Sequence, residues 1–153
     1  MNYLIVFLVS MMPVLELRGS IPIGYATGIH WIPCMLLSII GNFLPVPFIL
    51  LFIRVIFKWM KKIKFFAKII NWLETRAQKN SKKVLKYASW GLMIFVAIPL
   101  PGTGAWMGSL IAALLDMRLK YAIPSILGGV IIAGIIVTGV VYGFLDFLKF
   151  LVI

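Results

Sequence analysis

Two short polar segments interrupt otherwise apolar stretches of this chain, and they look like two versions of one device. The first is Glu16-Leu17-Arg18-Gly19-Ser20-Ile21-Pro22; the second is Pro99-Leu100-Pro101-Gly102-Thr103-Gly104. An apolar run precedes each, over residues 3–15 and from Tyr87 to Ile98. A helix of that size is about 20 Å long at 1.5 Å per residue, well short of the roughly 30 Å hydrocarbon core of a bilayer. A second short apolar limb follows each break, ending in a turn (His30, Trp31 and Pro33; Asp116, Arg118 and Lys120). Then comes a stretch long enough to span, from about Cys34 to Phe57 and over residues 121–145. Broken helices at membrane depth persist only where protein or a water-filled cavity satisfies the freed backbone groups. Paired breaks in corresponding positions of two halves point to the central site of a transporter.

Composition agrees. The 153 residues are 63% hydrophobic, with a mean hydropathy of +1.09, far above the roughly 45–50% of soluble chains. No secretory signal peptide is expected, because the first residues lack Lys and Arg, and Pro13, Glu16 and Arg18 spoil the usual apolar core. The lone Cys34 excludes an intrachain disulfide, has no neighbours for a metal site, and reads as a packing residue. A phosphate loop with Lys, a paired-His motif and a Ser-His-Asp set are all missing from the pattern. The expectation is therefore a protein that is not an enzyme, without cofactor or metal.

The fold class expected is an all-α integral membrane protein forming one membrane domain over 1–153. Residues 1–57 make a first repeat, 58–86 a basic amphipathic linker, and 87–153 a second repeat. Gly19-Ser20 and Gly102-Thr103 lie 83 residues apart, so matching the halves needs a gap of about four. Eleven of the fifteen basic residues fall between Arg54 and Lys86. In a chain this apolar they predict a cytoplasmic segment lying on anionic lipid headgroups, with no nucleic acid partner. Met60, Ile63, Ala67, Ile70 and Leu73 recur at helical spacing on one side of that linker, with Lys61, Lys64 and Lys68 on others.

Two topologies compete. Residues 3–29 and 87–115 are either kinked crossings or re-entrant hairpins that return to the side they entered. With the basic loop inside, hairpins bring Arg118 and Lys120 back to the cytoplasm and put the Lys- and Arg-free N-terminus outside, as the positive-inside rule prefers. The halves then have inverted topology, and two hairpin tips meet near the bilayer centre from opposite faces. Alternating access in a prokaryotic plasma membrane can arise from that geometry.

Glu16 and Arg18 are the sharpest candidates, since a charge within a membrane segment faces a cavity or a partner. A carboxyl taken out of water holds its proton more readily, which suits Glu16 to proton or cation coupling. The planar fork of Arg18 suits an anionic head. The bland alternative is an ion pair that fixes the hairpin. Ser20 and Thr103 are natural N-caps for the limbs that follow, with Pro22 in a first turn; those helix N-termini could also cradle an anion. Gly19, Gly102 and Gly104, next to Pro99 and Pro101, permit sharp turns. Asn42 reads as an interhelical hydrogen bond or as lining of the pathway. Trp106 reads as a packed aromatic or as a cover for the site, and His30 as an interfacial residue. Gly139-x-x-x-Gly143 permits close helix approach.

The two breaks together, the second extended through Ala105-Trp106, resemble the motif pair of the small multidrug export protein family, over nearly the whole chain. That family is similar to the DedA/VTT membrane protein superfamily. The resemblance implies two re-entrant segments, each followed by membrane spans. It also implies proton-dependent transport, undecaprenyl-phosphate translocation or lipid scrambling. Glu16 matches in kind the Glu of the superfamily's first break. The arginines of its second break are missing here, where Pro101, Gly102 and Thr103 carry no charge, and Arg18 stands in the first break instead.

The function expected is an ion-coupled secondary transporter or flippase for an amphipathic, anionic, lipid-like substrate, acting as a homodimer. A proton-coupled exporter of lipophilic cations is the alternative, although Arg18 would repel such a substrate. A scramblase and a structural membrane subunit complete the set.

Overall fold

The computed structural model describes residues 1–60, 62–64, 67–68, 81–100 and 103–152, all of them helix, turn or connecting segment. The expected linker helix lies largely outside these residues. Helix α1 (Asn2–Met11) stops at Met12, which is extended because Pro13 follows it and disfavours the helical conformation there. Helix α2 (Glu16–Ala26) is followed by α3 (Trp31–Phe43) and α4 (Val46–Met60). The second half comprises α5 (Ser81–Ala97), α6 (Ala105–Leu114) and α7 (Leu119–Thr138). A π-helical segment over Gly139–Phe144 then leads into α8 (Leu145–Val152). Two stretches are long and apolar enough to cross a membrane: Trp31–Ile56, with 26 residues, and Leu119–Leu148, with 30.

Each short pair is a hairpin. Helix α2 returns along α1, so that Gly24 lies against Val6 as well as Cys34. Helix α6 returns along α5, with Gly108 against Val96 and Leu92. The first limb of each hairpin packs on the long helix of its own half. Gly41 of α3 sits over the Phe7 carbonyl of α1, and Gly129 of α7 over the Met93 carbonyl of α5. The buried core runs continuously through both halves, from Val6, Leu17 and Ile21 through Cys34 and Leu50 to Val96, Ile126 and Val130.

The long helices run antiparallel. Arg54 near the end of α4 donates to the carbonyl of Met117, just before α7. Ile39 meets Gly134 midway, and the Tyr142 hydroxyl donates to the Ile29 carbonyl at 2.8 Å. The end of α4 and the start of α7 therefore share one end of the molecule.

Local geometry recurs at a spacing of 88 residues, in place of the 83 that separates Gly19-Ser20 from Gly102-Thr103. The positive-φ positions among the described residues are Glu16 and Gly104, Gly28 and Asp116; each pair is 88 apart. The turn bonds Gly28 N–H to Tyr25 O and Ile29 N–H to Gly24 O reappear as Asp116 to Ala113 and Met117 to Ala112. Arg54 on Met117 and Tyr142 on Ile29 obey the same spacing.

The first break is not where its polar residues suggested. The turn occupies Met12–Leu15, and Glu16 through Pro22 form the first two turns of α2. Ser20 and Pro22 are thus helix-interior residues, neither cap nor first turn. The Ser20 hydroxyl bonds instead to Ser38 of α3, at 2.7 Å.

Candidate functional site

The two breaks meet. Glu16 opens α2 with φ of 48°, a left-handed conformation that costs a non-glycine residue energy and tends to persist where surrounding structure enforces it. This turns its carboxylate toward the other half, where only 4% of the residue remains exposed. There it lies against Gly104, whose φ of 153° and ψ of −167° fall in a region that is essentially glycine's alone. A Cβ at Gly104 would occupy the carboxylate's place. The backbone N–H of Trp106, in the first turn of α6, donates to Glu16 Oε1 at 3.3 Å. The first amides of a helix lack intrahelical acceptors and carry partial positive charge, so a carboxylate there stabilises the start of α6.

Arg18 serves the other side of the same break. Its guanidinium donates to the carbonyls of Leu100 and Ile98, and to Thr103 Oγ1 at 2.8 Å. The Thr103 hydroxyl in turn lies 2.7 Å from Ile98 O and 2.9 Å from Leu100 O. These carbonyls finish α5, where orphan acceptors and the negative end of the helix dipole favour a cation. One carboxylate and one guanidinium, both from α2, thus cap both helix ends of a second break that has no charge of its own. The two groups are only loosely paired, with Arg18 Nη1 3.9 Å from Glu16 Oε2. Among the described residues, the buried Glu16 Oε2 and Arg18 Nε have no hydrogen-bond partner.

The capping is reciprocal. The indole N–H of Trp106 donates to the carbonyl of Met11, the last residue of α1, at 3.2 Å. Arg18 and Trp106 are 88 positions apart, so equivalent positions of the two hairpins close each other's first limb. That recurrence is the signal that would have found Trp106 as a cap.

The remaining candidates sort around this junction. Thr103 does not N-cap α6, because Gly104 holds that position without a side-chain bond and the Thr103 hydroxyl turns back to α5. Gly19 lies inside α2, its N–H bonded to Leu15 O at 2.8 Å. Pro99 stands in the connection after α5, and Pro101 and Gly102 lie outside the described residues. Asn42 is buried in α3, its carboxamide oxygen without a hydrogen-bond partner among the described residues. His30 caps α3, its ring accepting the Ile32 N–H at 3.5 Å. Among the described residues no cluster of His, Cys, Asp or Glu could hold a metal.

A groove of about 480 Å³ lies at the Tyr142 end, lined by residues including Trp31, Met35, Ile135, Thr138, Tyr142 and Asp146. Tyr25 donates to Asp146 Oδ1 at 3.0 Å there and meets the Tyr142 ring edge-on. No curated protein and no solved structure matches the chain. Residues 16–136, which run from the Glu16 carboxylate past Trp106 and into α7, match the family described as "Putative small multi-drug export protein", and the chain belongs to that family.

Proposed function

We infer that the protein is a secondary transporter of the prokaryotic plasma membrane that moves an amphipathic, anionic substrate by alternating access, with Glu16 coupling protons. One observation carries this reading: the helix ends of both hairpins close on one another through Glu16, Arg18 and Trp106, burying an acid and a base where the halves join. Buried charges of this kind in membrane segments mark ion and substrate routes.

Topology supports it. Arg54 on Met117 ties the end of α4 to the start of α7, so the two lie at one end of the molecule. A re-entrant hairpin over 87–115, which returns to the end it entered, is consistent with this and supports our choice of that topology over a kinked crossing. Antiparallel long helices and the 88-residue recurrence then read as inverted-topology halves. Lys58, Arg118 and Lys120 flank the Arg54–Met117 contact, and we place that end in the cytoplasm against anionic headgroups. A homodimer is part of this proposal, since two small halves enclose little space.

The test is reconstitution in liposomes with a fluorescent anionic lipid. Uptake that depends on the pH gradient is expected, and Glu16→Gln should abolish that dependence while the protein still folds. Gradient-driven uptake unchanged in Glu16→Gln would remove Glu16 from coupling. The export of lipophilic cations is the second reading, favoured by the groove where Trp31 and Tyr142 flank the Asp146 carboxylate; uptake of a quaternary ammonium dye in place of the lipid would select it.

A further inference from the structure

Glu16 stands where a ligand should stand. A helix N-terminus with free amides is an anion site, and at α6 the anion present is the chain's own carboxylate. It accepts from Trp106 N–H through Oε1 and fills the space left by the absent side chain of Gly104. Its second oxygen, Oε2, is buried with no hydrogen-bond donor among the described residues, and Arg18 Nη1 is 3.9 Å away. A carboxylate dedicated to structure would have both oxygens satisfied, because a buried acceptor without a donor costs about 1–3 kcal/mol. This one is held by a single long amide contact and a distant guanidinium, on a backbone in a left-handed conformation.

We propose that the first turn of α6, with Arg18 beside it, is the binding site for the anionic head of the substrate, a carboxylate or a phosphate monoester, and that Glu16 is a built-in competitor that fills it in the closed state. The proposal deepens the transporter reading above and rests on it. An incoming head takes the Trp106 amide, meets Arg18, and displaces the Glu16 side chain. Flanking side chains suit an apolar tail, since Ile98, Leu100 and Met107 around this turn are 44%, 56% and 44% exposed. Among the described residues, the charged group that faces the Glu16 carboxylate is Arg18; α5 and α6 present backbone groups and Thr103. The competitor explains how a site with such strong anion chemistry stays shut while surrounded by anionic lipid.

The experiment measures binding of dodecyl phosphate to the full-length protein in neutral detergent, with tryptophan labelled with nitrogen-15. Inorganic phosphate and dodecyltrimethylammonium are parallel ligands, and Glu16→Gln and Glu16→Asp are compared with wild type. Glu16→Gln keeps the shape and removes the competing charge, so dodecyl phosphate should bind it at least tenfold more tightly, with Glu16→Asp between. The Trp106 amide resonance should move on binding. Inorganic phosphate binding equally well would make the site one for free anions; binding of dodecyl phosphate alone would make it one for lipid-like heads. Both outcomes keep the competitor.

Equal or weaker binding by Glu16→Gln overturns the proposal, as does tighter binding that leaves the Trp106 amide unmoved. The two ideas fail separately. If wild type transports an anionic lipid yet Glu16→Gln binds it no better, only the competitor falls. Should every variant bind dodecyltrimethylammonium and none the phosphate, the anionic-substrate reading falls with it.

Discussion

Arg54 and Tyr142 perform the same act on opposite ends of the molecule. Each reaches from the far part of its long helix to the carbonyl that precedes the other long helix, Arg54 to Met117 and Tyr142 to Ile29. One uses a guanidinium and the other a phenol, so nothing in their chemistry announces the match. Removing the Tyr142 hydroxyl as Tyr142→Phe keeps the edge-on contact with Tyr25 and should cost about 1 kcal/mol. Arg54→Ala should cost more, since the lost bond is charge-assisted and its stem loses packing. Thermal unfolding in detergent checks the order; two variants as stable as wild type would show that these links carry no stability.

Arg18→Ala should destabilise the fold by about 2 kcal/mol, because the Ile98 and Leu100 carbonyls lose a charged donor. Arg18→Lys should recover only part of this, since an ammonium cannot spread over three acceptors as a planar fork does. Trp106→Phe should cost about 1 kcal/mol through the Met11 carbonyl alone. Denaturation midpoints in the order Arg18→Ala below Trp106→Phe below wild type are expected, and the reverse order contradicts the capping account.

Glycines separate by position. Gly104→Ala forces a side chain into a conformation that glycine alone tolerates and into the space of the Glu16 carboxylate, a loss of about 1–3 kcal/mol. Gly143→Ala meets nothing within 4 Å among the described residues and should change the stability of the monomer by less than about 0.5 kcal/mol. Equal damage at both positions would mean that the junction geometry is not what makes Gly104 necessary.

Single cysteines report on the hairpins. Cys34→Ala provides the background, because Ala122 already fills the place 88 residues on and both sites are fully buried. Tyr3→Cys and Thr27→Cys should react with an impermeant maleimide from one side of the membrane, and Lys58→Cys and Lys120→Cys from the other. Labelling of Tyr3→Cys and Thr27→Cys from opposite sides would make α1 and α2 a crossing helix and end the re-entrant reading.

Much of the architecture was legible because hydropathy and length are bulk properties. The expected spans, Cys34–Phe57 and 121–145, fall within a few residues of Trp31–Ile56 and Leu119–Leu148. The second break lies where its residues indicate, between α5 and α6, since Pro99 and Gly104 act on their own backbone. The first break lies upstream of its charged residues because Glu16 and Arg18 do not serve the turn they adjoin. They serve the turn of the other half instead, and their own turn, Met12–Leu15, is marked only by Pro13. The internal recurrence stayed hidden for a related reason. At positions such as Glu16 and Gly104, or Gly28 and Asp116, what repeats is a backbone angle, and dissimilar side chains can share one.

The exchanged contacts at the two elbows impose an order on biosynthesis. When Glu16 and Arg18 leave the ribosome, the carbonyls and amide that will receive them are 80 to 90 residues from being made. Until that later stretch arrives, the nascent amino-terminal portion holds an acid and a base with no assigned receptors. Its completion is a late event governed by the synthesis of its mate.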